Sequence, residues 1–170
     1  MTPVTRRSSL VTAFVALGSN LDDPSAQIRR ALLALAALPE TRLVRRSSLY
    51  RNPPSGYPDQ PDFVNAVAEI ETRLAARELL ERLLEIERVH GRVRGVLNGP
   101  RTLDLDLLLY GGRTLREAGL AVPHPRMLDR AFVLVPLVEI APDAVVPGGG
   151  RVADLVRNVD GSGMIKLPEP

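Results

Sequence analysis

Asp104 and Asp106 stand two residues apart in the apolar run 101–110 (RTLDLDLLLY). In an extended chain, residues i and i+2 point to one face, about 6.5–7 Å apart at the backbone. Two carboxylates so placed repel unless positive charge comes between them. Magnesium is the natural candidate, because it prefers hard oxygen ligands and often takes one or two carboxylates plus substrate phosphates. A pair of ions about 3.5–4 Å apart also fits the span. An edge strand with polar outward positions would give the same D-x-D pattern. Arg92 and Arg94 follow Gly91, and Arg101 lies three residues before Asp104. Arg and Asp clusters together suit triphosphate chemistry, where metals bridge phosphate oxygens and guanidinium groups hold the remaining charge. The competing reading is a set of surface salt bridges worth little energetically. No G-x-x-x-x-G-K-[ST] occurs and Lys166 is the only lysine, so a P-loop is excluded. His124 lies between Pro123 and Pro125, which restrict its direction, and Arg126 and Arg130 follow. It is a candidate for a phosphate or ribose contact, although a lone loop histidine is usually a surface residue. His90 sits on a helical stripe and reads as a packed or capping residue.

Composition narrows the field. The chain has 170 residues, 45% hydrophobic and 25% charged, which is ordinary for one globular domain. Such a length can bury roughly 70% of its unfolded surface without staples. There is no cysteine, which excludes disulfides, zinc fingers, Fe–S clusters and thiol nucleophiles, and two histidines make a multi-His metal site improbable on numbers alone. Net charge is only +2, yet the isoelectric point is about 9.5, because nearly all basic residues are Arg. Arg suits bidentate capture of phosphates and carboxylates. No apolar run approaches a membrane span. Arg6-Arg7 resembles the start of an export signal, but the apolar stretch after it is short, broken by Thr12, and ends in Gly18-Ser19-Asn20. Residues 1–10 are expected to be a flexible leader, residues 11–170 a single domain, and the protein cytoplasmic, with no nucleic-acid or membrane partner.

The elements that must position these residues follow from periodicity. Val11 to Leu17 reads as a buried strand. Asp22 or Asp23 can cap a helix with Pro24 in its first turn, carrying Ile28, Leu32, Leu35 and Leu38 at helical spacing and stopped by Pro39. Residues 42–50 read as a second strand. Residues 52–61 hold four prolines and a glycine, and read equally as a rigid connection or as the wall of a pocket. Residues 63–71 alternate: Val64, Ala66, Ala68 and Ile70 share a clean apolar face, leaving Phe63, Asn65, Val67 and Glu69 on the other. Residues 75–90 form the clearest helix, with a stripe of Leu79, Leu83, Ile86 and His90, and with Gly91 suited to its end. Residues 101–110 make a fourth strand, closed by Gly111-Gly112. A Pro-His-Pro turn, a short helix, the apolar run Phe132 to Ile140 and a Gly-rich tail with a weak helix near 152–158 complete the chain. The order β–α–β–β–α–β predicts an α+β fold: a ferredoxin-like antiparallel sheet with helices on one face and a C-terminal helical and loop extension.

With these residues assembled, the chain resembles the 6-hydroxymethyl-7,8-dihydropterin pyrophosphokinase family over about residues 11–147. The ordered motifs are Ala16-Leu17-Gly18-Ser19-Asn20-Leu21, Asp59-Gln60-Pro61-Asp62-Phe63-Val64-Asn65-Ala66, Gly91-Arg92-Val93-Arg94, Gly99-Pro100-Arg101-Thr102-Leu103-Asp104-Leu105-Asp106, Val122-Pro123-His124-Pro125 and Arg130-Ala131-Phe132. The G-P-R-T-L-D-L-D string is highly specific. The resemblance implies transfer of an intact pyrophosphoryl group from ATP to the pterin's hydroxymethyl oxygen, with AMP released and two magnesium ions bound. It implies that Asp104 and Asp106 hold the metals and that Arg92 and Arg101 are the catalytic, phosphate-binding arginines. Glu87, Arg94, Leu107, His124 and Arg130 would line the ATP site. Asn65 would bond the pterin edge, Phe63 and Phe132 would sandwich the ring, and backbone groups near Asn52, Pro54 and Ser55 would complete the pterin pocket. Asn98, Leu84, Gly119, Ala121 and Pro125 depart from residues other members carry around the nucleotide. The expected partners are small molecules, with the chain a monomer. An RNA-binding module of the same topology is the main alternative; against it stand 4% aromatics and the absence of an RNP1-like string.

Overall fold

The computed structural model describes residues 9–54, 59–90 and 102–169. Strand β1 (Val11–Ser19) is buried from Ala13 onward, on both of its faces. A strand apolar on both faces belongs in a sheet covered on two sides. It pairs antiparallel with β4 (Phe63–Thr72) and with β5 (Asp104–Tyr110). Strands β2 (Thr41–Arg46) and β3 (Tyr50–Asn52) both pair antiparallel with β4. They correspond to the single strand expected over 42–50, interrupted at residues 47–49. Side chains explain the interruption. The Ser47 Oγ accepts the Val67 N–H at 2.9 Å, and the Ser48 N–H goes to the Glu139 carboxylate at 2.9 Å rather than to a neighbouring strand. The fourth, first, third and second expected strands therefore lie in that spatial order, which is the ferredoxin-like arrangement.

Two helices cover one face. Helix α1 (Pro24–Ala36) is capped by Asp23, whose carboxylate accepts the Ala26 N–H at 3.4 Å. Helix α2 (Ala76–Val89) buries Leu79, Leu83 and Ile86, and His90 ends it with its Nδ1 2.9 Å from the Ile86 carbonyl. These stripes pack with Ile28 and Leu35 on Ala13, Val15, Leu17, Val64, Ala66, Ala68 and Ile70.

The opposite face departs from the expectation of helices on one side only. After the hairpin β6 (Leu115–Glu117) and β7 (Leu120–Val122), helix α3 (Ala131–Ile140) packs on that second face, burying Val133, Leu134 and Leu137 against Phe14, Ala16 and Val67. A register shift between Phe14 and Val15 serves this second core: it sends Leu108 and Leu109 together to the α3 side, while Leu105 and Leu107 stay with α1 and α2. Short strands β8 (Val145–Val146) and β9 (Gly150–Arg151) and helix α4 (Val152–Leu155) follow. The tail then returns as β10 (Ile165–Lys166) to pair with β3. Among the described residues, no helix is long and apolar enough to cross a membrane.

Candidate active site

The second face of the sheet has two halves. Helix α3 fills one. At the other, the register aligns Asp104, Gly18 and Asn65 in one row across β5, β1 and β4, with Asp106, Ala16 and Val67 in the next. Asn65 faces Tyr50 of β3, and Phe63 faces Asn52. Asp104 and Asp106 thus share a face, as expected from their spacing, and both are half-buried. Two strand spacings separate Asp104 from Asn65, about 10 Å.

Around the acids the structure gathers basic groups. The His124 Nε2 lies 3.9 Å from one Asp106 oxygen, and an Arg130 nitrogen lies 3.9 Å from the other. The 122–130 segment is hooked to β5 by the His124 N–H, which donates to the Leu108 carbonyl at 2.9 Å. The His124 Nδ1 accepts the Arg126 N–H at 3.2 Å, which leaves Nε2 to face Asp106. Burial first, and then Arg130, hold this imidazole below its ordinary pKa, while Asp104 pulls it upward. Arg130 also stacks over the Phe132 ring at 5.3 Å.

Beside the acids opens a cavity of about 950 Å³. Phe63, Asn65 and Asn52 line it from the sheet, Arg130 and Phe132 from the start of α3, and residues 158–160 and 162–164 from the tail. The Asn52 side-chain amide donates to the Pro53 carbonyl at 3.2 Å, and its Oδ1 accepts from the Asn65 Nδ2 in a short hydrogen bond. Both carboxamides are buried, so the cavity wall carries two oriented amide groups together with two aromatic rings.

Other expected site residues stand differently. Glu87 is buried under β5, where its carboxylate accepts the Leu105 N–H at 2.7 Å. Leu107 points into the α1–α2 core, so only its backbone is available to the acidic face. Pro53, rather than Pro54, lines the cavity. Ser55, Arg92, Arg94 and Arg101 lie outside the described residues. Sequence reasoning gave no role to the residues that brace the site. The Asn20 side-chain amide, 1% exposed, donates to Gln60 Oε1 at 2.9 Å and to the Pro61 carbonyl at 3.1 Å, and the Ser19 hydroxyl donates to the Thr102 carbonyl in a short bond. The strings Gly18-Ser19-Asn20 and Asp59-Gln60-Pro61 carried that signal only jointly. The tail wall left no local signal at all.

A ferredoxin-like α+β domain with paired carboxylates, flanking basic groups and an aromatic cavity is the frame of a phosphoryl-transfer enzyme. Residues 14–142 match the family described as 7,8-dihydro-6-hydroxymethylpterin-pyrophosphokinase. The 2-amino-4-hydroxy-6-hydroxymethyldihydropteridine pyrophosphokinase of Haemophilus influenzae is 49% identical over 158 residues, covering 93% of this chain and 99% of that one. The enzyme of the same name from Pseudomonas aeruginosa is 50% identical over 155 residues, covering 91% and 96%. Among solved structures, a mutant Plasmodium falciparum HPPK-DHPS with pterin and p-hydroxybenzoate superposes with a TM-score of 0.75 at 12% identity, over 95% of this chain and 48% of that one, a likeness of fold. The chain belongs to the 7,8-dihydro-6-hydroxymethylpterin-pyrophosphokinase family, and is a pyrophosphokinase, a transferase of folate biosynthesis.

Proposed function

We propose that this chain moves the pyrophosphoryl group of ATP intact to the hydroxymethyl oxygen of 6-hydroxymethyl-7,8-dihydropterin. The observation that carries this reading is the row Asp104–Gly18–Asn65, which sets an acidic pair and an amide-lined aromatic cavity side by side on one sheet face. The pterin stacks between Phe63 and Phe132, and offset stacking of this kind suits a flat heterocycle. The Asn65 carboxamide, with an acceptor oxygen and a second N–H, reads its edge. The polyphosphate lies over the acids, with Arg130 and His124 beside it, and Arg92, Arg94 and Arg101 would supply further positive charge. Glu87 and the Leu107 backbone belong to the nucleotide's surroundings.

The donor set fits magnesium: two hard carboxylates on one face, half-buried, with room for substrate oxygens. Asp104 and Asp106 would hold two ions, which supply charge neutralisation on the phosphates when bound. The chain's own residues do the positioning. The pterin oxygen forms a bond to the β-phosphorus as the bond from that phosphorus to the AMP oxygen breaks, and the hydroxyl proton passes to solvent. Fixing the oxygen in line with the scissile bond is the main contribution, since little covalent chemistry falls to the protein. An AMP-release assay with ATP, magnesium and the reduced pterin tests the reading. AMP should appear together with pterin diphosphate and fall to background when pterin is withheld. Pterin-independent release of phosphate in place of AMP would refute it.

A further inference from the structure

Gly18 lies in the middle of the row that joins the acids to the amide wall. Its φ is outside the left-handed region, so the strand conformation there does not call for glycine. A glycine inside a strand weakens it, and often marks a close approach instead. Such an approach exists here: a Cβ on Gly18 would stand 2.8 Å from the Asn65 Oδ1 and 3.9 Å from its Cγ. The Asn65 backbone cannot retreat, because β4 is paired on both sides. Its side chain is held flat over Gly18 by the bond from its Nδ2 to Asn52, and Asn52 is itself oriented by Pro53.

We infer that Gly18 is a specificity-determining positioning residue: its missing side chain is what lets the Asn65 carboxamide lie along the sheet, locked to Asn52, in the orientation that selects the pterin. This rests on the reading above that Asn65 meets the pterin edge. A methyl group at position 18 leaves the fold with one inexpensive escape, rotation of Asn65 away from β1, and that rotation breaks the bond to Asn52. The substitution therefore acts on the pterin and spares the nucleotide.

The test compares wild type, Gly18→Ala, Asn65→Ala and the double variant. Gly18→Ala should raise the pterin KM about tenfold or more, the scale of one lost oriented hydrogen bond, while the ATP KM stays within about twofold. In the Asn65→Ala background the same change should add less than about twofold, because the obstructing oxygen is gone. In the ligand-free protein, the Asn65 side-chain amide signals in a ¹⁵N spectrum, assigned by their loss in Asn65→Ala, should move in Gly18→Ala. Unmoved signals, or pterin penalties that multiply in the double variant, would overturn the inference. If Gly18→Ala fails to fold, the double variant should fold; if neither does, the inference is likewise overturned. If wild type turns over no pterin, the proposed function falls, and the amide signals still decide whether Gly18 sets Asn65.

Discussion

The two faces of the sheet use the same strands in opposite ways. The face under α1 and α2 is apolar through its centre: Ala13, Val15, Leu17, Ala66, Ala68 and Ile70 are each at most 1% exposed, and its buried polar groups Ser19, Thr72 and Glu87 lie at its margins. The face under α3 is apolar through its middle, at Phe14, Ala16 and Val67, and turns polar beyond Gly18 at Asn65, Asn52 and Asp104. Alternation along a strand makes this division possible, since each residue belongs to one face only. The first face supplies stability and keeps the backbone rows in register. The second uses that rigidity to hold groups that would weaken a core. Like charges on neighbouring strand positions are tolerated only where something else binds them.

Breaking the polar half should therefore cost function rather than fold. Asp104→Ala is expected to lower pyrophosphoryl transfer by about three orders of magnitude, the scale at which a preorganised charge at the reacting group is lost. The fold should stay intact, because Asp104 lies outside both apolar cores. AMP release at saturating magnesium, read beside a thermal melt, checks both. Near-normal turnover would remove the acids from the mechanism. Breaking the apolar face should do the reverse. Leu79 is fully buried, and Leu79→Ala should lower stability by about 3 kcal/mol through lost burial and the cavity left behind. Urea unfolding measures this, and kcat in the cold should stay within about twofold. A large loss of kcat in a folded Leu79→Ala protein would erase the distinction between the faces.

The smallest effect concerns the seam where α3 meets the second face. The Glu139 carboxylate accepts the Ser48 N–H at 2.9 Å, the Ser48 hydroxyl at 3.0 Å and the Tyr50 hydroxyl at 2.6 Å, tying α3 to the chain beside Asn52. Burial raises the Glu139 pKa, but the Tyr50 and Ser48 bonds outweigh it and the group ends below its ordinary value. Burial and then the same bond push the Tyr50 hydroxyl up. The sign follows from linkage. A lowered carboxyl pKa contributes stability above the unfolded value, near 4.3, and loses it as pH falls through the folded value. Glu139→Gln should cost about 1 kcal/mol at pH 7, kept small because the residue is largely exposed, and the gap from wild type should close towards pH 3. Melting curves across that range check it. A gap constant with pH would mean that packing, not charge, joins α3 to the sheet.

Much of this was legible along the chain, and for a physical reason. The alternation over 63–71 assigned Asn65 and Phe63 to one face and the apolar set to the other, because a strand's side-chain period is set locally. The D-x-D spacing put both acids on one face on the same ground. The α2 stripe is also local, as is an aspartate cap at the start of α1, although only the structure chose Asp23 over Asp22. Less local features were harder. The split of residues 42–50 at Ser47 depends on Glu139, some ninety residues away. The covering of the second face by α3 was missed because the period within Phe132 to Ile140 cannot say which surface the helix will meet.

What residue type and spacing offered by themselves, then, is a candidate chemistry, paired hard oxygens and a supply of guanidinium groups on strands of readable period; the roles of the two phenylalanines and the amide came from the family resemblance. Only the tertiary structure decided that these stand together. Strand pairing across dozens of residues set Gly18 between Asp104 and Asn65, turned Leu107 inward, and brought residues 158–160 and 162–164 round as the cavity's last wall. Pairing of that kind is a sum of many weak contacts distant in the chain, and no short stretch of sequence contains it.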